Sequence, residues 1–431
     1  MNVDYRELSS APRDRLRKWQ DERLRALLAE ITTNRFYQEK FHRAGLEPSK
    51  IHTAADLSAL PYTTKAELAA EQLQHPPYGR LLTYPISAYR YLHQTSGTTG
   101  RPLRWLDTAD DWDTFVRCWS QVYLSAGVTP EDLVFCAFSF GPYISHWTGI
   151  DGARYIGALA LSGGGMHSEQ RLRAILDNRC TVLVSTPTYA LHLAEVADKL
   201  GLNLRDSDIR ITIHAGEPGA SVPNVKRRIE EAWGARCFDH AGATEVGAWA
   251  FDCQAEDGAI HLNEAEFIFD VIDPNTCAPV GEGVRGELVI TTLGRAGMPA
   301  LRYRTGDLVE MITEPCECGR QLARIKGGVL GRTDDMLTVR GVNLYPAAID
   351  NLIRAIPSII EYEVEIRRVS EMDDLLLKVE IGEERSFDEV KRALLAAFRA
   401  QLNIRVSVAQ AERGSLPRYE FKARRYKRVT N

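Results

Sequence analysis

The chain has 431 residues, 44% apolar and 26% charged, with 53 Lys and Arg against 58 Asp and Glu and a net charge of −5. That is the composition of a globular protein long enough for two or more domains, with no basic excess for a nucleic-acid partner. No apolar run approaches the ~20 residues that span a bilayer, so no membrane partner is expected. Met1 to Glu7 lack a basic stretch followed by an apolar core, so no secretory signal is expected, and the eight cysteines read as reduced thiols of a cytoplasmic protein.

In chain order, Leu16, Trp19, Leu24, Leu27, Leu28 and Ile31 recur at helical spacing and predict a packing helix over 11–32. Next comes Thr95-Ser96-Gly97-Thr98-Thr99-Gly100-Arg101-Pro102. Glycines let several backbone N–H groups converge on one anion and hydroxyls add donors, which suits a polyphosphate. No Gly-Lys-Ser/Thr follows, and Leu103 to Leu106 reads as a strand, so this is not a Walker A loop. Residues 181–185 read as a strand, 189–200 as a helix, and 209–213 as a strand alternating apolar and polar. That strand delivers His214 and Ala215 to the turn Gly216-Glu217-Pro218. Such alternation predicts an α/β domain. Near residue 331 the texture changes to a short strand, a helix over 347–355, strands at 362–366 and 375–381, and a helix over 387–401. This predicts a small α+β domain.

Further short motifs follow in order: Asp239-His240-Ala241-Gly242-Ala243-Thr244-Glu245, Tyr303-Arg304-Thr305-Gly306-Asp307, Gly331-Arg332-Thr333-Asp334-Asp335 and Leu416 to Lys422. Together with the 95–102 loop and Gly216-Glu217-Pro218, this set resembles the acyl-adenylate-forming enzymes, most of all the phenylacetate–CoA ligase family. The resemblance implies a large multi-sheet N-terminal adenylation domain (1–332) and a small mobile α+β C-terminal domain (333–431). It also implies ATP, Mg²⁺ and coenzyme A.

Carried onto this chain, the resemblance gives Ser96, Gly97, Thr98, Thr99, Gly100 and Arg101 to the ATP phosphates. It gives Gly216, Glu217, Pro218 and Asp239 to the adenine side, and Asp307 and Arg332 to the ribose. Thr244 falls near the α-phosphate and Glu245 on Mg²⁺, a cation that takes hard oxygen ligands. Lys422 becomes the lysine of adenylation, with Lys427 in reserve, and Asp334 the hinge. Two positions depart from the family: Ala241 replaces an adenine-stacking Tyr, and Phe421 the Gly before the lysine.

Cys253, His261, Cys316 and Cys318 form a set of thiols and imidazole suited to tetrahedral Zn²⁺, structural because all four positions are filled. Their pattern, with Gly258, also resembles that of phenylacetate–CoA ligase relatives. Cys118, Cys136, Cys180, Cys237 and Cys277 read as packing residues. Phe138, Phe140, Tyr143, His146 and Trp147, with Ala215, are the candidate walls of an acid pocket, suited to a flat aryl acid. The reading is an ATP-dependent ligase that makes an acyl-AMP from a small carboxylic acid and then an acyl-CoA thioester. Its rivals pass the acyl group to a carrier-protein thiol or a nitrogen nucleophile, or retain nucleotide binding without catalysis.

Overall fold

The strand–helix alternation of residues 133–243 builds a parallel sheet in the computed structural model, which describes residues 5–95, 102–255, 258–339, 342–369, 372–382, 385–419 and 422–429. Strands Leu159–Ser162, Leu133–Cys136, Val182–Ser185, Ile211–His214 and Arg236–Ala243 lie side by side in that order. The sheet continues antiparallel through Gly247–Phe251, Ala259–Leu262, Arg324–Lys326, Tyr303–Ile312, Arg285–Thr292 and Phe267–Ile272. Ligands in such sheets bind beyond the carboxyl ends of the parallel strands. Cys136, Ser185, His214 and Asp239 mark that edge here.

Helices cover both faces. Thr64 with Glu67 and Thr108 with Asp111 form capping boxes at the starts of Lys65–Gln74 and Ala109–Ala126, each satisfying orphan N–H groups. The 11–32 helix appears as Arg13–Glu30, burying Leu16, Leu24, Leu27 and Leu28. The strand expected over 209–213 appears as Ile211–His214, and all four residues are buried despite their alternation, because helices close both sides of a central parallel strand. A hairpin of Tyr89–Gln94 and Arg104–Thr108 brackets residues 96–101, which lie outside the described residues.

From Leu337 onward the chain has its own sheet and its own apolar core. Two short strands, Leu337–Val339 and Val342–Leu344, stand where one was expected. Strands Ile359–Val369 and Met372–Ile381 form its centre, packed by helices Pro346–Arg354 and Phe387–Leu402. No helix among the described residues is long and apolar enough to cross a membrane.

Candidate active site

Four of the sequence motifs meet at the carboxyl edge of the parallel strands. Asp307 and Arg332 are cross-strand partners, with Arg332 Nη1 3.2 Å from Asp307 Oδ1. Arg332 Nε also donates to Asp334 at 3.0 Å. Burial raises the Asp307 carboxyl to about 6, against the pull of Arg332. Asp239 is also raised to about 6 by burial and accepts a hydrogen bond from Ser221. Glu245 is buried; Tyr303 donates to its Oε1 at 3.3 Å, and Lys65 Nζ lies 3.2 Å from the same oxygen.

Glu217 links the two domains. Its Oε1 accepts from the backbone N–H of Thr188 at 2.9 Å, and its Oε2 from that of Ala423 at 2.8 Å. Lys422 is thereby set beside Gly216, where a Cβ would lie 3.3 Å from Lys422 Cε. Gly216 has φ +95°, a conformation that favours glycine for a second reason. Protein rings Lys422, but its side chain still meets solvent. This crowding lowers its pKa from the ordinary lysine value, while the charges of Glu217 and Asp307 oppose the shift. More of the small domain docks nearby. Asn224 pairs with Asn351 (Nδ2 to Oδ1, 2.9 Å), Arg425 Nη1 reaches Thr188 Oγ1 at 3.1 Å, and Arg418 reaches Glu195 at 2.8 Å.

The candidate acid-pocket residues separate. Phe138 lies in the main core. Phe140 and Trp147 meet edge to face at 4.8 Å, and Trp147 is 46% exposed. Tyr143 and Ala215 are half-buried, and His146 lies on the helix Ile144–Tyr155. Gly164 is required for this arrangement, since a Cβ there would lie 2.6 Å from the Phe140 ring. Arg171, absent from the sequence-derived set, is buried and ties the segment down through Gly163 O at 3.0 Å and Ser139 Oγ at 3.2 Å. Gln94 N donates to Pro142 O at 2.7 Å, which brings the foot of the 95–102 loop to the same segment.

The model of the AMP-binding enzyme family matches residues 23–297, and that of the AMP-binding enzyme C-terminal domain matches residues 341–428. The chain belongs to the AMP-binding enzymes. It is 33% identical to the phenylacetate-coenzyme A ligase of Thermus thermophilus, over 90% of this chain and 86% of that one. At that likeness it is a member of the phenylacetate–CoA ligases, AMP-forming acid–CoA ligases that work through an acyl-adenylate. It superposes on 2-hydroxyisobutyryl-CoA ligase in the postadenylation state, bound to 2-HIB-AMP, with TM-score 0.93 and 30% identity over 100% of this chain and 93% of that one. The same relative with 2-HIB-AMP and CoA in the thioesterification state gives 0.74, at 31% identity over 98% and 92%. The small domain of this ligase is therefore docked in the manner of the former.

Away from the nucleotide motifs, the ligase gathers Cys253, His261, Cys316 and Cys318, with ligand atoms all within 4.8 Å of one another. The sheet register does this: Phe251 pairs with His261 and His261 with Arg324, so the turn carrying Cys316 and Cys318 folds over both strands. Cys253 Sγ and Cys316 Sγ are 3.7 Å apart, and Cys318 Sγ and His261 Nε2 are 3.3 Å apart. Tetrahedral bonds of about 2.0–2.3 Å would separate the ligands by about 3.5–3.8 Å, so the donor set fits zinc. His261 Nδ1 finds no hydrogen-bond partner among the described residues, and the ring is held by packing near Phe251. Of the other thiols, Cys118, Cys136, Cys180 and Cys237 are buried as expected, whereas Cys277 is half-buried with φ 59° and lies 3.3 Å from Arg304.

Lys65, Tyr303 and Arg295 reach the site from elements distant in sequence. Thr64-x-x-Glu67 marks a helix start, but nothing in the sequence aims Lys65 at Glu245. The beginning of a bridge, Thr63 beside Tyr303, does so in space. The ring next to Ala241 gives no substitute for adenine stacking: His240 turns inward onto Trp119 at 4.5 Å and bonds Ala250 O.

Proposed function

We propose that this ligase activates an aromatic carboxylic acid, with Lys422 and Glu245 acting on opposite sides of the reacting phosphate. A carboxylate oxygen attacks the α-phosphorus of ATP, the bond to the bridging oxygen breaks, and pyrophosphate leaves. The thiol of CoA then attacks the acyl carbonyl carbon and AMP departs. The single observation that carries this reading is the docking of Lys422 at Gly216-Glu217, in reach of the charge of Asp307. A cation there offsets the charge that develops as carboxylate and phosphate approach. Asp307 accepts the ribose hydroxyls and Arg332 braces it. Asp239, Gly216 and Pro218 border the adenine. Thr244 lies by the α-phosphate, and the residues 96–101 cradle the leaving phosphates.

Glu245 supplies a buried hard-oxygen donor fit for Mg²⁺, held by Tyr303 and Lys65. A cation held there would spread the charge of the departing pyrophosphate. Cys253, His261, Cys316 and Cys318 would hold a structural Zn²⁺ that closes the turn over the sheet. Metal analysis of the purified protein is expected to find about one zinc per chain, lost in Cys316→Ser. The domains divide near residue 332, with Asp334 as the hinge. Reduced cysteines fit a cytoplasmic protein.

Phe140 and Trp147 support the aryl preference, since paired aromatic rings offer faces and edges on which a flat ring packs. The test is acid-dependent pyrophosphate release with phenylacetate, benzoate and short branched hydroxy acids, each with and without CoA. Aryl acids are expected to dominate, with AMP release dependent on CoA. Preference for a short hydroxy acid would overturn the aryl assignment. AMP release that needed a carrier protein or an amine instead would replace the acceptor.

A further inference from the structure

Two charged side chains lie in the apolar interior behind the site and take no part in the chemistry above. Asp107 is fully buried on Arg104–Thr108, the strand that leaves the phosphate loop. Arg295 is 1% exposed, in the turn after Arg285–Thr292. Arg295 Nη2 lies 2.6 Å from Asp107 Oδ1, off the in-line direction, so the contact is an ion pair more than a hydrogen bond. The guanidinium sits 4.6 Å from the Trp105 ring centre and 5.0 Å from that of Phe115. Its other arm, Nη1, donates to Glu245 O at 2.6 Å and reaches Thr244 O at 3.4 Å. From the strand that enters the loop, His93 Nδ1 comes to 3.6 Å from Asp107 Oδ2.

A buried ion pair is a poor device for stability, because desolvation of both charges offsets their attraction. The value of this one lies in what it spans. Asp107 and His93 lie on the two strands of the hairpin that brackets residues 96–101, and Arg295 carries the connection to the backbone of Thr244 and Glu245. The planar fork of an arginine reaches two partners at fixed separation, which an ammonium cannot do.

We propose that the Asp107–Arg295 pair is a strut fixing the distance between the hairpin strand Arg104–Thr108 and the Thr244–Glu245 segment, and that Arg295 is a positioning residue for adenylation. The proposal rests on Glu245 being the Mg²⁺ carboxylate. Pyrophosphate leaves before the thiol attacks, so the strut serves the first half-reaction and not the second.

The test uses the full chain with Arg295→Lys, which keeps a charge opposite Asp107 and loses the fork. A second variant, Asp107→Leu with Arg295→Met, leaves neither charge unpaired and carries the same test where the lysine variant fails to fold. Three quantities are read: acid-dependent ATP–pyrophosphate exchange against Mg²⁺ concentration, thioester formation from supplied acyl-AMP and CoA, and thermal unfolding. Exchange is expected to fall about 10- to 100-fold, as when a metal ligand loses its supporting partner, with a raised Mg²⁺ requirement. Thioester formation is expected to stay within about twofold, the scatter of context effects on a group outside that step. Glu245→Gln is the control. If it leaves the Mg²⁺ requirement untouched, the assignment of Glu245 fails. If it acts while both strut variants exchange as wild type, the strut fails. Both half-reactions falling together with the folded fraction would also overturn the strut, leaving Arg295 a fold residue.

Discussion

Glu245 and Lys422 border one cleft but are held in opposite ways. Glu245 is buried, its carboxylate touched by Tyr303 and Lys65 and its carbonyl by Arg295, all from the large domain. Lys422 meets solvent and arrives on a segment docked by separate hydrogen bonds, among them Ala423 to Glu217 and Asn224 to Asn351. On the proposed roles, the group that serves the phosphates is preorganised, and the group that completes the first reaction is delivered. A delivered group can be withdrawn, and the thioesterification-state relative fits the chain less well as a whole.

Removing the delivered charge is the most drastic way to break this contrast. Lys422→Ala is expected to reduce acid-dependent pyrophosphate exchange by about 10²- to 10³-fold, the usual loss for one group aimed at developing charge. Thioester formation from supplied acyl-AMP should persist. Equal loss in both assays would show that Lys422 is not specific to adenylation.

The fixed half sharpens the contrast through pH. Burial raises Asp307 to about 6, above the ordinary carboxylate value of 3.8, so the folded protein holds that proton more tightly than the unfolded chain. Its contribution to stability is therefore full below 3.8 and is lost as pH rises through about 6. The ribose binding proposed for Asp307 would run the other way, because the ionised form accepts both hydroxyls. ATP affinity should rise with pH up to about 6, with a limiting slope approaching tenfold per unit. Asp307→Asn should weaken binding and flatten that slope, as read by calorimetric titration at several pH values. A slope unchanged in the variant would assign the titration elsewhere, with Asp239, also raised to about 6, the next group to test.

The smallest effect is expected at the latch. Asn224→Ala removes the pair with Asn351, a net loss of about 1 kcal/mol for neutral hydrogen bonds. Exchange should fall about fivefold and thioester formation should not, since only the docked arrangement uses that contact. Equal behaviour in the two assays would mean that the latch does not bias the domains.

How much of this could be read in the sequence follows the same division. Asp239, Glu245, Asp307 and Arg332 sit in short motifs, each specified by its immediate neighbours, and Asp307 comes together with Arg332 and Glu245. The groups that grip them carry no such local signal. Arg295 reaches Asp107 across 188 positions, and Lys65 reaches Glu245 across 180. Such contacts are set by sheet order and packing, which no local pattern encodes. The 209–213 alternation was legible as a strand, but not its burial on both faces, which comes from the helix layers on either side. The aromatic run 138–147 was uniform on paper and divides in space, with Phe138 in the core and Trp147 facing solvent. The thiols and His261 were legible as a zinc-type set; the sheet register explains how they meet.

Gly216 carries a demand that comes and goes. Any side chain there would stand 3.3 Å from Lys422 Cε. That crowding belongs to the lysine-docked arrangement and would lift if the small domain turned away, whereas the φ of +95° would burden a side chain throughout. A methyl group at this position would therefore carry a permanent backbone strain and, on top of it, an obstruction confined to the docked state.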